Sequence, residues 1–254
     1  MIASVAVAMT LLAGCGSDSV SSGPEADSDE SLVVFAAASL TESFGELGHE
    51  FEGTHPGTKV TFNFAPTQIL VNQVQQGAPA DVLATADELG MQRVVDAGEV
   101  VGSPRIFAHN LLQIVVAAGN PEGVTSLADF GRPGLVVALG DPAVPVGRYT
   151  EQAFAKAGLP VPPASREESV RAVVNKVALG EADVGIVYVT DVRSAGSEVV
   201  GIAISEDQNV IARYPVVSLR EARNPQTAQA FIDFVLSPSG QMVLERHGFL
   251  VPGS

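Results

Sequence analysis

The stretch Leu32 to Thr41, LVVFAAASLT, commits the chain to a strand that runs straight into a helix. Leu32, Val33, Val34 and Phe35 leave no polar face, which is the pattern of a parallel strand covered on both sides. Ala36, Ala37 and Ala38 are small enough to let a group approach the backbone. Ser39 stands where a helix N-cap belongs. Glu42, three residues on, completes an S-x-x-E capping-box spacing ahead of Phe44, Leu47 and Phe51. A helix start presents N–H groups without partners and the positive end of its dipole, so this junction suits an anion. It equally suits a serine that does nothing but cap.

The same junction recurs along the chain. A strand from Lys59 to Phe64 ends at Ala65-Pro66-Thr67, where Thr67 occupies an N-cap before Ile69, Leu70, Val71 and Val74. A short strand at Val82 to Ala86 precedes an amphipathic helix from Asp87 to about Ala97, and Leu111 to Ala118 reads as a central strand. After a strand at Leu135 to Leu139, the loop Gly140-Asp141-Pro142-Ala143-Val144-Pro145-Val146-Gly147 leads into a helix ending at Ala157. Arg148 is the sole cation inside these junctions and reads as a solvated helix residue. Ser165 to Arg171 opens a helix whose apolar stripe is Val170, Val173, Val174 and Val177; Glu167 and Glu168 at its start must point away from any anion bound there. Asp183 to Val189 is a buried strand with Tyr188 near its end, a position open to a core, rim or ligand role. A strand at Val210 to Leu219 and helices at Pro225 to Leu236 and Pro238 to His247 complete the chain.

Alternating strands and helices predict a parallel-type α/β architecture. Open sheets of this kind bind ligands beyond the C-terminal ends of their strands, at helix starts. Four strand ends here run into such starts, and a fifth carries Tyr188. The 14 Lys and Arg against 29 Asp and Glu give a formal net charge of −15, which excludes nucleic acid as a partner class. A small anion is compatible with that charge if neutral donors act on it at short range while solvent screens the distant carboxylates. The chain has no G-x-S-x-G, and His49, His55, His109 and His247 stand away from the junctions, so a hydrolase using Ser39 as nucleophile has no evident base. Nor is there H-E-x-x-H, a cysteine pair or EF-hand spacing for a metal cation.

Residues 1–15, MIASVAVAMTLLAGC, have the shape of a secretory signal, and Leu12-Ala13-Gly14-Cys15 resembles the lipobox of bacterial lipoproteins, although no Lys or Arg precedes the apolar run. The resemblance implies cleavage before Cys15, the only cysteine, and a lipid on its thiol. Residues 16–30, rich in Ser, Gly, Pro and acid, then form a flexible tether.

Across residues 31–250 the chain resembles the periplasmic molybdate-binding proteins that serve ABC transporters. The markers are VFAAASLT (34–41), GAPADVLATAD (77–87), GDPAVPVG (140–147) and GIVYVTD (185–191). The resemblance implies a two-lobe α/β periplasmic-binding-protein fold, with lobe 1 at 31–110 plus 218–254, lobe 2 at 111–217, and hinge crossings near Asn110 and Val217. It implies an oxyanion held in the cleft by Ser39, Thr67 (serine in many relatives), the backbone N–H groups of Val146 and Val170, and Tyr188. It also implies no catalysis, no cofactor, and a monomeric extracytoplasmic lipoprotein on the cell membrane that delivers molybdate, and tungstate too, to an ABC permease. Other tetrahedral oxyanions such as sulfate are the alternative ligands.

Overall fold

In the computed structural model, residues 30–160 and 163–252 are described. The signal segment with Cys15, and the tether up to residue 29, lie outside the described residues.

The uninterrupted apolar run of the first strand, β1 (Glu30–Ala37), is explained by burial on both faces. Leu32, Val34 and Ala36 enter one core cluster, while Phe35, pointing the opposite way, enters another. A 3-10 turn at Ala38–Leu40 leads to α1 (Thr41–Thr54), then β2 (Thr58–Ala65), α2 (Thr67–Gln75), β3 (Val82–Ala84) and α3 (Glu88–Asp96). The long β4 (Val100–Ala117) follows, then β5 (Val137–Gly140), α4 (Pro145–Ala157), β6 (Ser165–Glu167), α5 (Val170–Ala178), β7 (Val184–Tyr188) and α6 (Val189–Ala195). The chain closes with β8 (Val199–Ala203), β9 (Ile211–Leu219), α7 (Pro225–Leu236) and α8 (Pro238–Arg246).

The strands lie in the order β2-β1-β3-β9-β4-β7-β5-β6, with β8 also on β4. The flanks are parallel, as the alternation predicts: β2-β1-β3 on one side and β7-β5-β6 on the other. The centre is antiparallel, because β4 and β9 run against each other and against their neighbours. β4 is longer than the Leu111 to Ala118 expected. Its first half carries Gly102, Pro104 and Arg105, which hid it from pattern reading, and its ladder with β9 is irregular there.

β4 joins the two halves. Val100 to Leu111 pair with β9, whereas Leu112 to Ala117 pair with β7 and β8, so the change of partners falls beside Asn110. The return differs from expectation: Ile211 already pairs with Leu111, and Val217 pairs with Leu83 well inside the first half. The second crossing therefore precedes Ile211, since a strand bonded to β4 and β3 along its length cannot pass between halves at Val217.

Helices cover both faces of the first half. Phe44 and Phe51 of α1 meet Phe231 of α7 edge-on, with centroids 6.1 and 5.3 Å apart, and Phe107 of β4 lies 5.4 Å from Phe44. Each of these fully buried rings contributes roughly 1.5–3 kcal/mol relative to exposure. Leu70, Val71 and Val74 of α2 pack with Met91 and Val94 of α3 on the opposite face. In the second half, Phe154 of α4 meets Phe130 at 5.2 Å, and Val173 and Val177 of α5 are fully buried. With helices on both faces, the strand ends and helix starts face one another across the middle of the molecule.

Candidate functional site

Ser39, Thr67, Val146, Val170 and Tyr188 all line one cavity, together with small or apolar residues such as Ala37, Ala86 and Pro145. The starts of the 3-10 turn, α2, α4 and α5 meet there. The first N–H groups of a helix have no acceptor within it. Those of Ser39, Thr67, Val146 and Val170 donate to no other protein group among the described residues. Among the described residues no Asp, Glu, Lys or Arg lines the cavity, and its free volume is about 20 Å³. Pockets for drug-sized ligands run from roughly 300 to 1,000 Å³, so this one suits a small ion. A larger neighbouring cleft of about 200 Å³ is lined by Glu42, Asp191 and Glu198 with Arg171; its carboxylates would oppose an anion.

Neither hydroxyl caps its helix, contrary to the sequence reading. Ser39 sits inside the 3-10 turn, whose N-cap is Ala37, and its Oγ lies 3.2 Å from the Tyr214 hydroxyl. Glu42 turns outward to the Arg171 guanidinium, at 2.5 and 2.6 Å, so the capping box does not form. Thr67 is the first helical residue after Pro66, and its Oγ1 accepts the Ala86 N–H at 3.2 Å. That bond occupies an acceptor lone pair and leaves the O–H free to donate into the cavity. Both side chains do what tertiary partners ask of them rather than what their local spacing suggests.

The other two helix starts are shaped by their loops. Asp141 ties the loop before α4: its carbonyl accepts the Val144 N–H at 2.9 Å, its Oδ1 accepts the Ala143 N–H at 2.8 Å, and its own N–H donates to the Glu167 carbonyl at 2.8 Å. Pro145 then begins α4 where its missing N–H costs nothing. Residues 165–167, expected to open a helix, instead form β6 against β5, and Ser169 caps α5 by accepting the Ala172 N–H at 3.2 Å. Glu167 turns onto Lys176 at 2.7 Å.

The Tyr188 hydroxyl is the feature of this cavity that most needs a partner. The residue is 1 % exposed, and its Oη is buried without a hydrogen bond to any of the described residues. Leaving such a group unpaired costs about 1–3 kcal/mol, so native proteins rarely do it without a reason. Burial, with Tyr214 and Tyr149 nearby, pushes its pKa well above the ordinary range, so it stays a neutral donor. Behind it, Asp191 accepts the Tyr188 N–H at 2.9 Å. Burial raises the Asp191 pKa from 3.8 to about 7, against the opposing effects of that hydrogen bond and of Arg171. The folded chain thus holds a proton that the unfolded chain releases above its ordinary value. Stability falls as pH rises through the window from about 4 to 7. Asp191→Asn, which removes the charge, is expected to melt higher than the parent at pH 8 and to lose that advantage at pH 4. Equal melting at both values would show the carboxyl to be unperturbed.

Side chains of Arg148, Arg171 and Gln68 bridge the halves beside the cavity. Arg148 of α4 pairs with Asp87, the N-cap of α3. Arg171 of α5 pairs with Glu42 of α1 and donates to the Ala38 carbonyl at 3.1 Å. Gln68 Nε2 donates to the Glu168 carbonyl at 3.2 Å. Arg148 is therefore ion-paired rather than a free solvated residue. Its partner lies 61 residues away, and no local pattern signals the pair. Tyr214 escapes sequence reading for the same reason: its partner Ser39 lies 175 residues away.

Residues 32–250 match the family model described as bacterial extracellular solute-binding protein. The molybdate-binding protein ModA of Mycobacterium tuberculosis is 40% identical over 243 residues, covering 95% of this chain and 93% of the relative. Among solved structures, the periplasmic molybdate-binding protein of Azotobacter vinelandii superposes with a TM-score of 0.77 at 19% identity, covering 87% of this chain and 99% of that one. The sulfate-binding protein SubI of M. tuberculosis does so with a TM-score of 0.77 at 20% identity, covering 88% of each chain. At that identity the two structures speak for the fold alone, a periplasmic-binding-protein α/β fold. The family model and the 40% relative go further: the chain belongs to the bacterial extracellular solute-binding proteins, in the family of the ModA molybdate-binding proteins.

Proposed function

We propose that this protein captures molybdate, and tungstate with it, outside the cytoplasm and delivers it to an ABC permease, held to the membrane by a lipid on Cys15. In this reading Ser39, Thr67 and Tyr188 donate O–H bonds, and the N–H groups of residues 39, 67, 146 and 170 complete a shell made of donors. The observation that carries it is the buried Tyr188 hydroxyl without a partner, in a cavity that holds no charged side chain. A fully deprotonated tetrahedral dianion accepts from every donor. Phosphate, which keeps a proton near neutral pH, would set one donor against another at about 1–3 kcal/mol for each group left unpaired. Sulfate carries no proton and is rejected by size. The halves on either side of β4 act as lobes hinged where β4 changes partners and ahead of Ile211, and ligand contacts from both favour the closed state.

Thermal melting with molybdate, tungstate, sulfate and phosphate in turn tests the reading. A ligand at 100 times its Kd adds about 2.7 kcal/mol of stability. Molybdate and tungstate are expected to raise the melting temperature, and sulfate and phosphate to leave it unchanged at equal concentration. A rise with sulfate alone would make this a sulfate-binding protein on the same fold, and no rise with any of the four would end the oxyanion reading.

A further inference from the structure

What makes Ser39 a donor rather than an acceptor lies behind it. A serine hydroxyl can do either, so a shell that rejects protonated anions needs the Ser39 oxygen already occupied by another donor. The geometry points to Tyr214 as that donor, and so as a specificity-determining positioning residue: its O–H donates to Ser39 Oγ, which turns the Ser39 proton toward the ligand.

The direction of the 3.2 Å contact between the two hydroxyls follows from what else the Tyr214 proton can reach. Asn110 is 1 % exposed, and its Oδ1 accepts the Leu111 N–H at 3.0 Å, which fixes which end of the amide is which. Its Nδ2 then donates, to Thr190 Oγ1 at 2.9 Å. Ser39 Oγ is the one acceptor within hydrogen-bond distance of the buried Tyr214 hydroxyl among the described residues, so the phenol proton goes there and Tyr214 is the donor. Burial holds Tyr214 protonated. The relay runs Tyr214 to Ser39 to ligand, each member donating forward. The Ala86 N–H acts on Thr67 Oγ1 in the same sense. Asn110 and Ala212, two residues before Tyr214, are paired on β4 and β9 beside the change of strand partners, so the relay is anchored in the middle of the sheet.

This inference rests on the oxyanion reading and assigns the source of its discrimination. Tyr214→Phe keeps the ring among Phe107, Phe249 and Tyr188 and removes only the hydroxyl. Ser39 then rotates freely and can accept the phosphate proton. Isothermal titration at pH 7 is expected to show molybdate binding weakened by about tenfold, in line with one lost hydrogen bond, and phosphate binding strengthened, so that the ratio of the two falls by more than tenfold. Two further variants separate this from loosened packing. Phe249→Leu disturbs the ring that lies 5.3 Å from Tyr214 and is expected to lower the melting temperature while leaving the ratio unchanged. Tyr214→Phe combined with Ser39→Ala is expected to bind like Ser39→Ala alone, because Tyr214 acts through Ser39. Wild-type binding of molybdate with an unchanged ratio in Tyr214→Phe, the same ratio change in Phe249→Leu, or additive losses in the double variant would each overturn this role for Tyr214. Failure of the wild type to bind any of the oxyanions overturns the parent reading, and this one with it.

Discussion

Val170→Pro is expected to weaken molybdate binding by roughly 10- to 100-fold while the ligand-free protein melts within a few degrees of the wild type. Proline removes the one atom proposed to act, the backbone proton. Val170 is the first helical residue of α5, the position where proline fits a helix best and where the N–H has no acceptor within the helix. The residue before a proline is pushed toward extended backbone, and Ser169 is already there at φ −152°, ψ 159°. Its cap to the Ala172 N–H does not involve residue 170 and survives. A hydrogen bond to a charged group contributes about 1.5–3 kcal/mol, and 1.4 kcal/mol is about tenfold in affinity. Val170 is 6 % exposed, so part of its packing is lost, on the order of 1 kcal/mol or about 2–4 °C for a chain of this size. Titration of the variant at neutral pH settles the matter: unchanged affinity would remove the start of α5 from the site.

The second large effect is on stability. A Cβ at Gly147 would stand 2.0 Å from the Asp141 carbonyl oxygen and 2.6 Å from that of Gly140. Both are backbone atoms of the loop that sets the start of α4, and neither can swing aside as a side-chain tip would. Gly147→Ala is therefore expected to cost about 3 kcal/mol or more. It should also move the Val146 N–H out of place, so that molybdate no longer raises the melting temperature. Gly131→Ala is the matched control, since nothing lies within 4 Å of a Cβ there and its φ is ordinary. Equal melting of the two variants would mean that the loop relaxes freely and that its shape matters little to the site.

Much of this site was legible because helix starts advertise themselves. The small residues before Ser39, the Pro-Thr at 66 and 67, the Gly/Pro loop at 140–147 and the apolar stripe after Val170 each mark a local junction, and the structure brings all of them, with Tyr188, to one cavity. The capping assignments fared worse. Ser39 with Glu42 has the spacing of a capping box, yet Tyr214, 175 residues away, takes the serine, and Arg171 takes the glutamate. Ser165 to Glu167 has helix-start chemistry, yet the edge of β5 offers three paired positions and makes it a strand. A backbone ladder along β5 outweighs the weak propensity of three polar residues.

By itself the sequence determined the elements: apolar runs too continuous for a solvated face, hydroxyl and glycine junctions where strands become helices, and a net charge that disfavours a polyanionic partner. Period and junction chemistry act within a few residues, so they can be read along the chain. Tertiary structure alone decided which way each hydroxyl points, that Arg148 is matched to Asp87, and where the second crossing between halves lies. Those outcomes depend on partners 19 to 175 residues distant, brought within hydrogen-bond reach by the folded sheet. A hydrogen bond loses its strength within a fraction of an ångström, and local sequence carries no information about distances that only the folded sheet sets.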